Sequence, residues 1–259
     1  MIVFAGPSLA GLQPADWPDM EFRPPVRQGD LFLAACERPA AIGVIDGYFE
    51  GVPAVWHKEI LWALSRGIRV FGASSMGALR AAELDVFGMK GVGRIYEDYR
   101  DLVCTDDDEV ALLHGPAELG YPVLSLAMVN LRASLHAAVA EKIIDAAGAS
   151  LIAATGKSQH YKTRTWKTVL DAVPPEVPER QLAALHDWSR LHAVDQKCAD
   201  AQAMLELMTH FPLHDTASEF HFERTDLWVQ ATETWRKRSA QADTGGGYNL
   251  FKDKSFIDR

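Results

Sequence analysis

Two adjacent serines, Ser74 and Ser75, lie where a strand gives way to a helix. Val70 and Phe71 are strand formers, Gly72 to Gly77 are small apart from Met76, and Ala78 to Leu84 are strong helix formers. Ala73-Ser74-Ser75-Met76-Gly77 is a small-x-Ser-x-small corner with alanine in place of the usual first glycine. A nucleophile on so tight a turn needs small neighbours, and Ser75 also gains the positive end of the following helix. The Met76 N–H in this register suits an oxyanion. The alternative is a serine that only caps the helix. Two histidines are candidate bases: His57, on a helical stripe with Leu61 and Leu64, and His114, which follows an apolar run and precedes Gly115-Pro116. Asp46, at the end of a strand, is the candidate that orients either imidazole, or else a turn residue.

The elements that would position these groups alternate. Apolar runs at Ile2–Ala5, Ala41–Ile45 and Ile68–Ala73 lack polar alternation and read as buried strands. Helices are expected from Asp30, as N-cap, from Pro53, in a first turn, and after Ser75. The fold class is therefore α/β, a mostly parallel Rossmann-like sheet flanked by helices with a helical C-terminal region. Gly11 to Arg27 reads as an irregular connection, Phe87 to Arg94 as a glycine-rich loop, Glu109–His114 as a fourth strand and Leu124–Ala147 as one long helix. Further helices are expected over 162–172, 178–193 and 195–209. In such sheets ligands bind at the carboxyl ends of the strands, which here carry Gly6-Pro7-Ser8, Asp46-Gly47-Tyr48 and Ser74-Ser75-Met76-Gly77.

A formal net charge of -9 over 259 residues disfavours nucleic-acid binding. No apolar run is long enough to span a bilayer and the start lacks a basic signal-peptide region, so a soluble cytoplasmic protein is expected. Cys36, Cys104 and Cys198 are dispersed thiols, and acidic neighbours make Cys104 a poor nucleophile. Asp106 to Glu109 reads as a solvated acidic turn rather than a calcium loop, and the remaining histidines, His210, His214 and His221 among them, show no metal-binding spacing. Neither a metal nor another cofactor is expected, since no phosphate-binding glycine motif is present.

Several longer blocks carry more than local chemistry. Ile45-Asp46-Gly47-Tyr48-Phe49, Val55-Trp56-His57-Lys58-Glu59-Ile60 and Gly72 to Leu84 occur in order, followed by Asp106 to Val110, His114-Gly115-Pro116-Ala117-Glu118 and Met128-Val129-Asn130-Leu131-Arg132-Ala133. Together they resemble the TfuA-like family. The resemblance implies partnership with a YcaO protein that activates peptide backbone amides, and with a ubiquitin-like sulfur-carrier protein, in backbone thioamidation of ribosomal peptides. The implied reaction is hydrolysis of the carrier's C-terminal thiocarboxylate to release sulfide, with the precursor peptide as a further candidate partner. Candidate substrate-binding residues are Lys58, Arg80, Tyr48, Ser74, Met76 and Glu83; Arg80 and Glu83 also suit a plain surface ion pair. The competing readings are a noncatalytic adaptor docking carrier or peptide onto YcaO, and an unrelated esterase. The chain divides into a TfuA-like core over 1–148, a helical region over 149–243 and a flexible tail over 244–259.

Overall fold

The computed structural model describes residues 1–9, 11–48, 50–211 and 220–243. Phe49, His214 and the expected tail over 244–259 lie outside the described residues. Five parallel strands form one sheet: β1 (Ile2–Phe4), β2 (Glu21–Arg23), β3 (Ala41–Val44), β4 (Arg69–Ala73) and β5 (Lys90–Val92), in the order β2-β1-β3-β4-β5. The order reverses between β1 and β3, which makes their carboxyl ends the switch point where doubly wound sheets bind ligands.

Alternation of side chains gives the sheet two cores. On one face Ile2, Phe4, Ile42, Val44 and Val70 pack against α1 (Asp30–Cys36), α2 (His57–Ser65), α3 (Met76–Leu84) and α10 (Asp226–Asp243). A cluster of Phe32, Trp62, Trp228 and Trp235 fills that layer, with ring centroids 4.7 to 6.2 Å apart. On the other face Val3, Ala5, Ile45, Phe71 and Ala73 meet Ala201, Met204, Leu205 and Met208 of α9 (Gln196–His210). The C-terminal helices are thus layers of the sheet's core, not an appendage beside it. Between them, α4 (Arg94–Arg100) packs on α3, while α5 (Met128–Ala140), α6 (Ala146–Lys157), α7 (Trp166–Asp171) and α8 (Glu179–His192) enclose a separate helical core.

Several sequence expectations change. β2 arises inside the supposed irregular connection and β5 inside the glycine-rich loop; at three residues each, both are too short to show a period. Glu109–His114 is no sheet strand: Asp107–Glu109 is a 3-10 turn, and His114 makes one antiparallel bridge to Val123. The long helix breaks into α5 and α6, because Lys142 takes a positive φ of 61° and Asp145 caps α6 by accepting from Gly148 N at 2.7 Å. Helix α2 starts at His57, four residues after Pro53, where Glu59 accepts from Trp56 N. Gly29, not Asp30, caps α1 at φ 95°, and a Cβ there would lie 2.7 Å from Trp235 Cγ. The helix expected over 162–172 shrinks to Trp166–Asp171.

Candidate active site

The corner after β4 is held by backbone contacts that only its small residues allow. Ser74 takes a φ of 68° and Ser75 N donates to Ala73 O at 2.7 Å, a γ-turn of the strained kind. A Cβ on Gly77 would lie 1.8 Å from Val44 O, and one on Gly72 would lie 2.2 Å from Gly77 O. Helix α3 therefore starts flush against the sheet. Ser75 is its N-cap residue, and its side chain caps nothing. The hydroxyl is turned instead to Lys197, whose Nζ lies 3.1 Å from Ser75 Oγ and donates to Val110 O at 2.8 Å.

Lys197 is 2% exposed and Ser75 is 8% exposed. Burial penalises the ammonium and pulls the lysine's pKa below its ordinary value, against the opposing fields of Asp46 and Asp195. Position adds to burial: Lys197 is the second residue of α9, where the helix dipole disfavours a cation. A neutral amine beside a serine hydroxyl is an acceptor for its proton, so this pair has the makings of a nucleophile and its base. Met76 N–H, the first of α3, makes no backbone hydrogen bond among the described residues and lies next to the hydroxyl in sequence.

Around the pair is a pocket of about 60 Å³, walled by Met76, Leu79, Val110, Ala111 and Leu112, with Pro7, Asp46, Gly47, Tyr48 and His114 at the sheet edge. That volume holds roughly two water molecules. Asp46 does not meet a histidine. Its carboxylate accepts from Gly6 N at 2.8 Å, Ser8 N at 3.0 Å and Ser8 Oγ at 2.7 Å, which ties the end of β1 to the end of β3. His114 is brought to the pocket on the hairpin closed by Gly115 N→Pro122 O and Leu124 N→Leu113 O, and its Nδ1 lies 2.7 Å from Gly115 O. A carbonyl only accepts, so Nδ1 carries a proton and, in the neutral ring, Nε2 holds the lone pair.

The other expected residues go elsewhere. His57 Nε2 lies 2.7 Å from Glu83 Oε2, and Arg80 Nη1 donates to the same oxygen at 2.7 Å, on the outer side of α2 and α3. Lys58 Nζ donates to Thr225 Oγ1 and lies over the Phe222 ring. None of these four lines the Ser75 pocket. Ser74 is fully buried with its hydroxyl unpartnered. The acidic turn is solvated only in its first half: Asp106 and Asp107 are exposed, whereas Glu109 pairs with Arg132 through two bonds of 2.9 and 3.0 Å, and Lys157 and the fully buried Arg164 close on Asp108. Among the described residues no group of acidic, histidine or cysteine side chains could hold a metal ion. No helix among them is long and apolar enough to cross a membrane.

With this geometry in view, the comparison with known families is specific: residues 46–165 match the family model described as TfuA-like protein. Over these residues the chain is similar to the TfuA-like family. No curated protein matches it. The TfuA-like region supplies Asp46, Tyr48, Ser75, Met76, Val110 and His114, whereas Lys197 lies beyond it. The two parts are joined by Asn130, inside the region, which accepts from Lys197 N at 3.1 Å and donates to Asp195 Oδ1 at 2.9 Å. Val194 N donates to Ser134 Oγ at 2.8 Å one turn further along α5. Sequence reading missed Lys197 and left Asn130 without a role. The available signal was a lysine in a first helical turn, three residues before Asp200 and two after the cap Asp195.

Proposed function

We propose that this chain hydrolyses a C-terminal thiocarboxylate on a carrier protein, with Ser75 as nucleophile and Lys197 as its base. The TfuA-like region supports a role in the YcaO-associated thioamidation system. The single observation that carries the chemistry is the 3.1 Å contact between the buried Lys197 Nζ and Ser75 Oγ at the positive end of α3. The neutral amine takes the hydroxyl proton as Oγ attacks the thiocarboxylate carbon. The oxyanion that forms meets Met76 N–H. Collapse breaks the C–S bond, and the Lys197 ammonium returns its proton to the sulfur, which leaves as hydrosulfide. Water then opens the acyl-serine with the same base, giving a carboxylate terminus and regenerating Ser75. Hydrosulfide is the form in which a YcaO partner would take up sulfur. Asp46 holds the β1 and β3 ends in register and balances the charge of Lys197 when it is protonated.

The test is sulfide release from purified thiocarboxylated carrier without YcaO. The reading expects one sulfide per carrier and an acyl adduct on Ser75 trapped at short times. A silent assay with YcaO binding intact would replace the hydrolase with the adaptor.

A further inference from the structure

The 60 Å³ pocket has room for the reacting end of a chain and nothing more, so whatever is attached to the acyl carbon must leave across its rim. One rim residue, Tyr48, also lines a second cavity of about 400 Å³ at the carboxyl ends of β1 and β2. Its walls come from Phe4, Arg23, Pro24, Pro25, Leu33 on α1 and Ser239 on α10. This size is typical of a ligand site.

The lining says what class of ligand fits. Both of its arginines are already neutralised within the wall: Arg23 donates to Glu37 at 2.8 and 2.6 Å, and Arg27 pairs with Asp30. No cation is left over for a phosphate or an acidic segment. Pro24 and Pro25 have no N–H, so this stretch brings carbonyl acceptors without competing donors. Phe4 and Leu33 add apolar surface. An extended, uncharged peptide with small side chains matches these walls.

Building on the hydrolase reading, we propose that this cleft binds the extended peptide tail immediately upstream of the reacting carbonyl, with Tyr48 as the threshold between tail and terminus. The tail lies along the sheet edge from Ser75 towards Ser239, and the folded body of its carrier stays outside. Tail length therefore governs the efficiency of the reaction.

The experiment compares two probes, N-acetylglycine thioacid and an uncharged hexapeptide thioacid with the same terminal glycine, on the full chain and on Ser239→Trp, which fills the cleft far from Ser75. In the unmodified chain kcat/KM should be about tenfold or more higher for the hexapeptide, since remote contacts are used in the transition state. Ser239→Trp should erase that advantage and leave the short probe unchanged; Ser239→Tyr gives the same pattern should the tryptophan variant fold poorly. Equal kcat/KM for the two lengths, or equal effects of the variant on both, overturns the proposal. Should neither probe release sulfide, the hydrolase reading fails separately. Binding of a labelled hexapeptide carboxylate then decides the cleft: affinity lost in Ser239→Trp supports it, and affinity unchanged overturns it.

Discussion

The Ser75 corner and the His57 cluster draw on the same quoted blocks of sequence, yet they are opposites physically. His57, Glu83 and Arg80 form a cluster of mutually satisfied polar groups on the outer side of two helices, with His57 and Glu83 about half exposed. Water screens such a group, and its members have each other. Ser75 and Lys197 are buried at a small pocket in which neither side chain has another side-chain partner among the described residues. The difference teaches that the proposed chemistry rests on burial of a serine–lysine pair rather than on the presence of the usual acid-base residue types.

The sharpest way to break this contrast is at the buried pair. Lys197→Met or Ser75→Ala should each lower kcat for sulfide release by about four orders of magnitude, and the double variant should be little worse, because the two act as one unit. Lys197→Met should also leave thermal stability equal or higher, since it removes the cost of burying an amine. Asn130→Ala should lower kcat by roughly ten- to a hundredfold with KM nearly unchanged, because a base about 1 Å out of place costs on that scale.

Activity should rise with pH as Lys197 loses its proton, with a midpoint below the free lysine value of about 10.4. The sign follows from the lowered pKa: the neutral amine is the active form, so rate falls as pH falls through the folded-state value. Stability has the same slope, because the unfolded chain binds that proton more readily between the two values, and the slope should vanish in Lys197→Met. At the other extreme, His57→Ala should leave kcat unchanged and shift urea stability by less than about 1 kcal/mol. A large loss of kcat in His57→Ala would bring the surface cluster into the chemistry and undo the contrast.

Much of the fold was legible because β1, β3 and β4 are short, mainly apolar runs ended by Gly6, Asp46 and Ser74, and the switch of period at Ser74 marks the corner directly. What escaped was whatever depends on distant partners. Glu109 reads as a solvated acid until Arg132 and Lys157 arrive from two later segments, and Asp108 does so until Lys157 and Arg164 arrive. β2 and β5 exist because neighbouring strands offer them a ladder, not because Glu21–Arg23 or Lys90–Val92 favours one. Lys197 resembles any solvated helical lysine until α9 is laid across the sheet. Histidines attract attention as bases by their pKa, while a lysine becomes one only through its surroundings.

The contact between Ser75 and Lys197 joins residues 122 positions apart. Closing so long a loop comes late in folding, after the nearby strands and helices have assembled. On the proposed reading, a ribosome-bound chain that has completed the serine corner still lacks the Lys197 base, which arrives only when α9 emerges and seats on Asn130. Under the proposed mechanism, hydrolytic competence follows the arrival of α9, so chains that end before it could not discharge a carrier.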